Sequence, residues 1–219
     1  MCHGWRRLSR VVKKMKPFIL LAAAVLLAAQ PQVAGLTEAL TDRDIADALN
    51  LGGTSEDTRA RFHAPYIVAI EDATVERVEV ITEFRRFVLA AEEHRQQGNW
   101  MLARGGFDQK GRTLKDLLRP FSGQVSVRVR LRFHPHNSYV TLPAFDIMLG
   151  EPTLVARQAL RTPHVVPASG DGKSRDFISG ATVETTFDAL SIQDRPLPVR
   201  IVTEGKELVR AMVDFSTLQ

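Results

Sequence analysis

The chain has 219 residues, of which 44% are hydrophobic and 25% charged, and its formal net charge is +4. Six of the 29 lysine and arginine residues lie before residue 36 and all 25 acidic residues lie after it, which leaves a net charge of −2 beyond that point. This balance excludes nucleic-acid binding driven by overall charge. The single cysteine, Cys2, is also N-terminal, so the rest of the chain forms no disulfide and needs an ordinary hydrophobic core.

Residues 1–35 have the pattern of a secretory signal peptide. Six basic side chains within residues 6–16 precede an apolar run over residues 18–29, which is shorter than the roughly 20 residues of a transmembrane helix. We expect cleavage after Gly35, and Met15 is an alternative start because a compact signal peptide begins there. The pattern therefore predicts export to the periplasm or the extracellular space, with membrane contact only through the signal segment before cleavage.

Residues 36–62 are expected to form an N-terminal helix followed by a linker. The helix covers residues 36–51, has a capping residue at Thr41 or Asp42 and stops before two glycines. The polar residues 54–61 are interpreted as a connection. The pattern leaves open whether this helix packs on the domain that follows.

Residues 63–219 are expected to form a single β-sandwich-like domain, immunoglobulin-like in general architecture. Short alternating or β-prone segments separated by turn signals are typical of such folds. The sequence Glu204-Gly205-Lys206-Glu207 predicts a hairpin turn between the last two strands. The predicted strands cover residues 66–70, 75–84, 124–134, 139–149, 153–159, 177–190, 199–203 and 208–215.

A helical insertion is expected at about residues 84–120, between two of these strands. Apolar residues recur at helical spacing from Phe84 to about Gln97, and a second short helix over residues 114–119 begins after a threonine cap. Trp100 lies between them in a predicted loop. It is a candidate aromatic contact residue, and the alternative is a lid packed over one end of the sandwich.

A row of basic side chains occupies one face of the predicted strand 124–134, opposite a row of core valines. Guanidinium groups hold carboxylates and phosphates through paired hydrogen bonds, so this row, the arginine face, is a candidate anion-binding site. The alternative is cross-strand pairing with the acids Glu79, Glu83 or Glu184. The arginine face consists of Arg128, Arg130, Arg132, His134 and His136.

His134 and His136 are separated by one residue, a spacing that allows two ligands to bind one metal ion, with Asp146 as the third. The preceding arginines make a cation unfavourable there, and Pro135 and Asn137 are typical of a turn. We therefore expect a turn and no metal or other cofactor.

No complete catalytic motif is present in the sequence. The segment Gly170–Ser174 resembles the end of a phosphate-binding loop, but Pro167 stands where the pattern needs a glycine. The sequence favours an exported, non-enzymatic protein that binds or scaffolds an envelope protein or an anionic polymer through the arginine face or Trp100. The alternative is a secreted hydrolase, with or without metal at His134, His136 and Asp146, whose site is assembled only in the fold.

Overall fold

The computed structural model describes residues 36, 39–137, 139–167 and 176–219. The expected signal peptide, its cleavage site and Met15 lie outside the described residues, as does the segment Gly170–Ser174. All described residues belong to one compact unit. Within them, no helix is long and apolar enough to cross a membrane.

The chain is mainly β and contains two antiparallel sheets, which confirms the sandwich-like character expected from the sequence. The first sheet has the strand order β1-β2-β3-β6-β5 and the second has the order β4-β7-β8. The strands are β1 Ile67–Ala69, β2 Val75–Ile81, β3 Gln124–Arg132, β4 Phe145–Leu149, β5 Ala156–Val166, β6 Phe177–Asp188, β7 Pro196–Thr203 and β8 Lys206–Asp214.

The two sheets share one hydrophobic core. Successive side chains of a strand point to opposite faces, so Val127 and Val129 of β3 face inward together with Val183 of β6. Ile147 and Ile201 enter the same core from the second sheet. The alternation predicted for β3 is confirmed, and the outer face of the first sheet is left for polar side chains.

Within the described ranges, five α-helices pack mainly around a second cluster of buried residues. The prediction of a helix from Phe84 to Gln97 is confirmed by α3, and α1 docks on it through Leu49, Phe87 and Val88. The helices are α1 Asp42–Leu51, α2 Glu56–His63, α3 Glu83–Gln96, α4 Trp100–Ala103 and α5 Leu114–Leu118.

Gly52, directly after α1, allows that helix to approach α3 closely. A Cβ atom on Gly52 would lie 2.7 Å from the carbonyl oxygen of Val88 and 2.8 Å from Cβ of Ala91. Both distances are shorter than ordinary van der Waals contact. The glycine is therefore required by packing between two helices.

Two local expectations in the helical part were wrong. Residues 54–61 are mostly helical, because Ser55 caps α2, acidic residues fill its first turn and basic residues its last. This helix has no buried residue, so apolar periodicity gave no sign of it. Trp100 begins the short helix α4 and does not lie in a loop.

Two predicted strands have different bounds in the structure. Of the predicted segment 139–149 only β4 is a strand, since Pro143 lacks the N–H that a ladder needs. The segment 153–159 gives way to a longer strand, β5, which lies at the edge of its sheet and is exposed over nearly its whole length. The predicted hairpin turn is confirmed, with Glu204 and Gly205 at φ 49° and 76°.

Candidate functional site

The arginine side chains of β3 lie on the outer face of the five-stranded sheet, as the alternation predicted. Arg128, Arg130 and Arg132 project from this face, and their side chains are 37%, 51% and 63% exposed. Residues two apart in a strand are separated by about 7 Å. The three guanidinium groups therefore repeat along a line that follows β3.

Acids on neighbouring strands pair with these three arginines. Arg128 donates from Nε and Nη2 to Oε2 of Glu184, at 3.0 and 2.9 Å. Arg130 and Arg132 share a single carboxylate, that of Glu76, at 3.1 and 3.7 Å. Cross-strand pairing is thus present, but one acid serves two arginines at the end of the row.

The other two acids expected as partners are engaged elsewhere. Glu83, at the start of α3, accepts hydrogen bonds from Ser122 Oγ and from the backbone N–H of Gly123, both at 2.9 Å. Glu79 lies 2.6 Å from Nε of Arg77, a residue that the sequence analysis did not single out. Arg77 is the cation that the sequence pattern missed, because the register of β2 against β3 cannot be read from either strand alone.

Arg77 lies directly opposite Arg130 in the register of β2 and β3. Like charges placed opposite one another on one sheet face are unfavourable. Both side chains line a depression of about 400 Å³ on the outer face, which we call the sheet depression. It is lined by Arg77, Glu79, Arg128, Arg130, Leu160, Thr162, Thr182 and Glu184.

A buried polar network lies beside the sheet depression and was not foreseen from the sequence. Arg85 of α3, only 2% exposed, donates from Nε to Nδ1 of His63 across 3.2 Å. Because Nδ1 accepts this bond, Nε2 of His63 carries the hydrogen that Oε1 of Glu92 accepts at 2.8 Å. The guanidinium also lies over the ring of Tyr66 and 3.8 Å from Glu79.

Burial governs the electrostatics of this network. It lowers the pKa of the Arg85 guanidinium, and the negative charge of Glu79 opposes this shift. It also raises the pKa of the Tyr66 hydroxyl, which accepts a hydrogen bond from the backbone N–H of Gln219 at 3.1 Å. The network joins α2, α3, β2 and the last described residue, so its role is to hold these elements together.

His134 and His136 lie in the turn that the sequence predicted. The backbone N–H of Asn137 donates to the carbonyl oxygen of His134 at 2.9 Å, and the N–H of His136 donates to Nδ1 of His134 at 3.1 Å. The two exposed rings meet edge to face. One of the four imidazole nitrogens is therefore occupied by a backbone hydrogen bond and is not free to bind a metal.

Asp146, the third residue of the candidate metal set, forms an ion pair with Arg161 at 2.6 Å. Across the part of the chain that the structure describes, no three His, Cys, Asp or Glu side chains cluster closely enough to hold a metal ion. The two histidines are therefore neighbours, whereas Asp146 is paired with Arg161.

Trp100 is exposed at the start of α4, with the guanidinium of Arg95 5.7 Å from its ring centroid. Met101 and Phe107 are also largely exposed. Trp100 therefore belongs to a group of large apolar side chains, and the sequence gives no sign of this group because it does not show that Met101 and Phe107 are exposed.

Comparisons with protein-family models, with curated proteins and with solved structures found no match. The function of the site is therefore inferred from the residues of this chain alone.

Proposed function

We propose that this chain is an exported, non-enzymatic protein of the cell envelope that binds an anionic polymer on the arginine face and in the sheet depression. The register that sets Arg77 opposite Arg130 carries the proposal. Among the described residues, Arg77 and Arg130 each have one carboxylate partner, Glu79 and Glu76, and Glu76 is shared with Arg132. Donors of the guanidinium groups are therefore left for a bridging anion, and guanidinium groups suit carboxylate and phosphate oxygens.

The surroundings of the two arginines support the same ligand class. Leu160, Thr162 and Thr182 line the side of the depression toward β5, where hydroxyl groups and an apolar side chain can contact the body of a polymer. The guanidinium groups along β3 repeat at about 7 Å, which suits a chain with regularly spaced charges. An export route is part of the proposal and draws on the basic and apolar pattern of residues 6–29.

The proposed architecture is immunoglobulin-like at the level of two facing antiparallel sheets. An envelope protein with an acidic surface is a second source of the same carboxylate chemistry, and the choice of probe separates it from a phosphate polymer.

Binding of labelled polyglutamate and of labelled polyphosphate to the full chain, followed by fluorescence anisotropy, tests the proposal. We expect Arg77→Gln/Arg130→Gln to weaken binding at least about tenfold, since each charge-assisted hydrogen bond contributes about 1.5–3 kcal/mol. The free energy of unfolding should change by less than about 1 kcal/mol, because the variant removes a like-charge pair but also the partly exposed ion pairs with Glu79 and Glu76.

A control variant with the same change in net charge is Arg43→Gln/Arg210→Gln, which alters two exposed arginines outside the depression. It should retain binding. An equal loss in both variants would show that only overall charge matters and would overturn the proposed site. A loss of binding accompanied by unfolding of the depression variant would assign the two arginines a structural role.

A further inference from the structure

A closed turn fixes the backbone at residues 100–107. The N–H of Gly106 donates to the carbonyl oxygen of Met101 at 2.9 Å, and the N–H of Gly105 donates to that of Leu102 at 2.9 Å. Gly105 has φ 83°, a conformation that glycine adopts without strain. Leu102 and Ala103 are buried, and Leu102 belongs to the second cluster of buried residues, so they anchor this turn.

The same turn presents three large apolar side chains to solvent. Trp100, Met101 and Phe107 are 53%, 65% and 59% exposed. A Cβ atom on Gly106 would lie 2.6 Å from Cγ of Met101, so the methionine lies against the backbone next to Phe107. Single exposed apolar residues are ordinary, whereas a rigid group of three within eight residues indicates a contact surface.

Basic side chains surround this group. Arg95 lies over the Trp100 ring, and Arg104 and Lys110 are exposed on either side of Phe107 in the sequence. Asp108, the only acid in residues 98–112, accepts two side-chain hydrogen bonds from Arg112 at 3.0 and 2.8 Å. The surface therefore combines exposed apolar groups with a net positive charge.

We propose that Trp100, Met101 and Phe107, with Arg104 and Lys110, form a docking site for an anionic lipid surface. Aromatic side chains favour the boundary between headgroups and acyl chains, and basic side chains near the surface are attracted to anionic headgroups. A second copy of the chain fits less well, because it would bring the same cations together. This site is independent of the proposed function on the arginine face.

Tryptophan fluorescence reports directly on this site, because the chain has only two tryptophans and Trp5→Phe leaves Trp100 alone. We expect vesicles of phosphatidylglycerol and phosphatidylcholine in equal parts to shift the Trp100 emission to shorter wavelength and to protect it from acrylamide. Vesicles of phosphatidylcholine alone should have a much weaker effect, and high salt should weaken the response to anionic vesicles.

Two further variants in the Trp5→Phe background distinguish binding through this site from binding of other segments of the chain to vesicles. Met101→Ser/Phe107→Ser should raise at least about tenfold the concentration of anionic lipid that gives half of the Trp100 shift. Met212→Ser should not change it, since Met212 is 56% exposed but lies on β8. All variants keep the apolar run 18–29, so its own affinity for lipid is the same in each.

Several outcomes would overturn the proposal. One is sedimentation with vesicles while the Trp100 emission stays unchanged, which would mean attachment by another segment. Another is an equal response to neutral and anionic vesicles. A shift that depends on protein concentration without lipid would instead assign the surface to contact between copies of the chain.

Discussion

Arg85 donates a hydrogen bond from Nε to Nδ1 of His63, and this contact joins the middle of the polar network between α2 and α3. Arg85 also donates to the carbonyl oxygen of Val80. A buried charge tolerates its position only while its donors are satisfied. His63 is therefore a structural residue, although an imidazole between an arginine and a glutamate resembles catalytic arrangements.

We expect His63→Ala to lower the free energy of unfolding by about 1–3 kcal/mol, because it leaves a buried donor of Arg85 without a partner. It also removes the shortest hydrogen bond of the Glu92 carboxylate, which keeps an ion pair with Arg59 at 3.5 Å. Urea denaturation followed by circular dichroism measures this difference. His136→Ala is the control, since that side chain is exposed and meets the His134 ring edge to face; its effect should stay within about 0.5 kcal/mol. Equal stability of the two variants would contradict the structural role.

Gly52→Ala should destabilise the chain by about 1–3 kcal/mol, because the new methyl group would press on Val88 and Ala91 and separate α1 from α3. Thermal unfolding of the two proteins measures the difference. The control is Asn50→Ala, at an exposed position of α1 two residues earlier. If Gly52→Ala left the stability unchanged, the two helices would be able to move apart without a cost in free energy of unfolding.

The stability contributed by Asp72 should depend on pH. Hydrogen bonds from the backbone N–H groups of Val75 and Thr74, at 2.9 and 2.7 Å, hold the pKa of this carboxyl below its usual value. Its contribution is therefore present above the ordinary pKa of 3.8 and is lost as the pH falls through the lower, folded value. Asp72→Asn should cost about 1 kcal/mol at pH 7 and much less at pH 2. A constant difference between chemical denaturation curves at the two pH values would contradict this explanation.

Zinc should not bind stoichiometrically to the turn that contains His134 and His136. The backbone N–H of His136 occupies Nδ1 of His134, and Arg161 occupies Asp146. Equilibrium dialysis of the full chain and of His134→Ala/His136→Ala at micromolar zinc should give equal metal content. A metal ion that is bound by the unmodified chain and absent from the variant would support the hydrolase alternative.

Export can be tested on the protein isolated from its natural source. We expect it in the periplasmic or extracellular fraction, with Leu36 as its first residue. Replacing Met1 should leave the amount of this product unchanged if translation begins at Met15, whereas Met15→Leu should then abolish it. An N-terminus other than Leu36 would move the cleavage site, and retention in the cytoplasm would contradict the proposed location.

The sequence predicted those elements whose burial leaves a periodic pattern. β3 alternates between core valines and surface arginines, and α3 carries an apolar stripe, so both were recognised. α2 and β5 have almost no buried side chains, so no period marks them. Hydrophobic periodicity arises from burial. A helix or strand without buried side chains therefore lacks this periodicity, and its capping residues are the remaining sign of it in the sequence.

The candidate site was predictable only in part, for a different physical reason. Alternation assigns Arg128 and Arg130 to the outer face from one strand, but the position of Arg77 depends on how β2 aligns with β3. The buried network likewise joins residues of α2 and α3 that are far apart in sequence. The face on which a side chain lies can be read from its own strand or helix. The register between strands and the docking of helices depend on residues far apart in the sequence.

The exposed edge strand β5 contains Pro163, and the position of this proline affects solubility. Phe133 donates to the carbonyl oxygen of Ser179, so alternate residues of β6 point to β3 and those between them point to β5. Pro163, paired with Ala181, therefore turns its nitrogen to the free edge. A strand from another molecule that approached this edge would find no N–H there, so the proline interrupts a template for edge-to-edge aggregation.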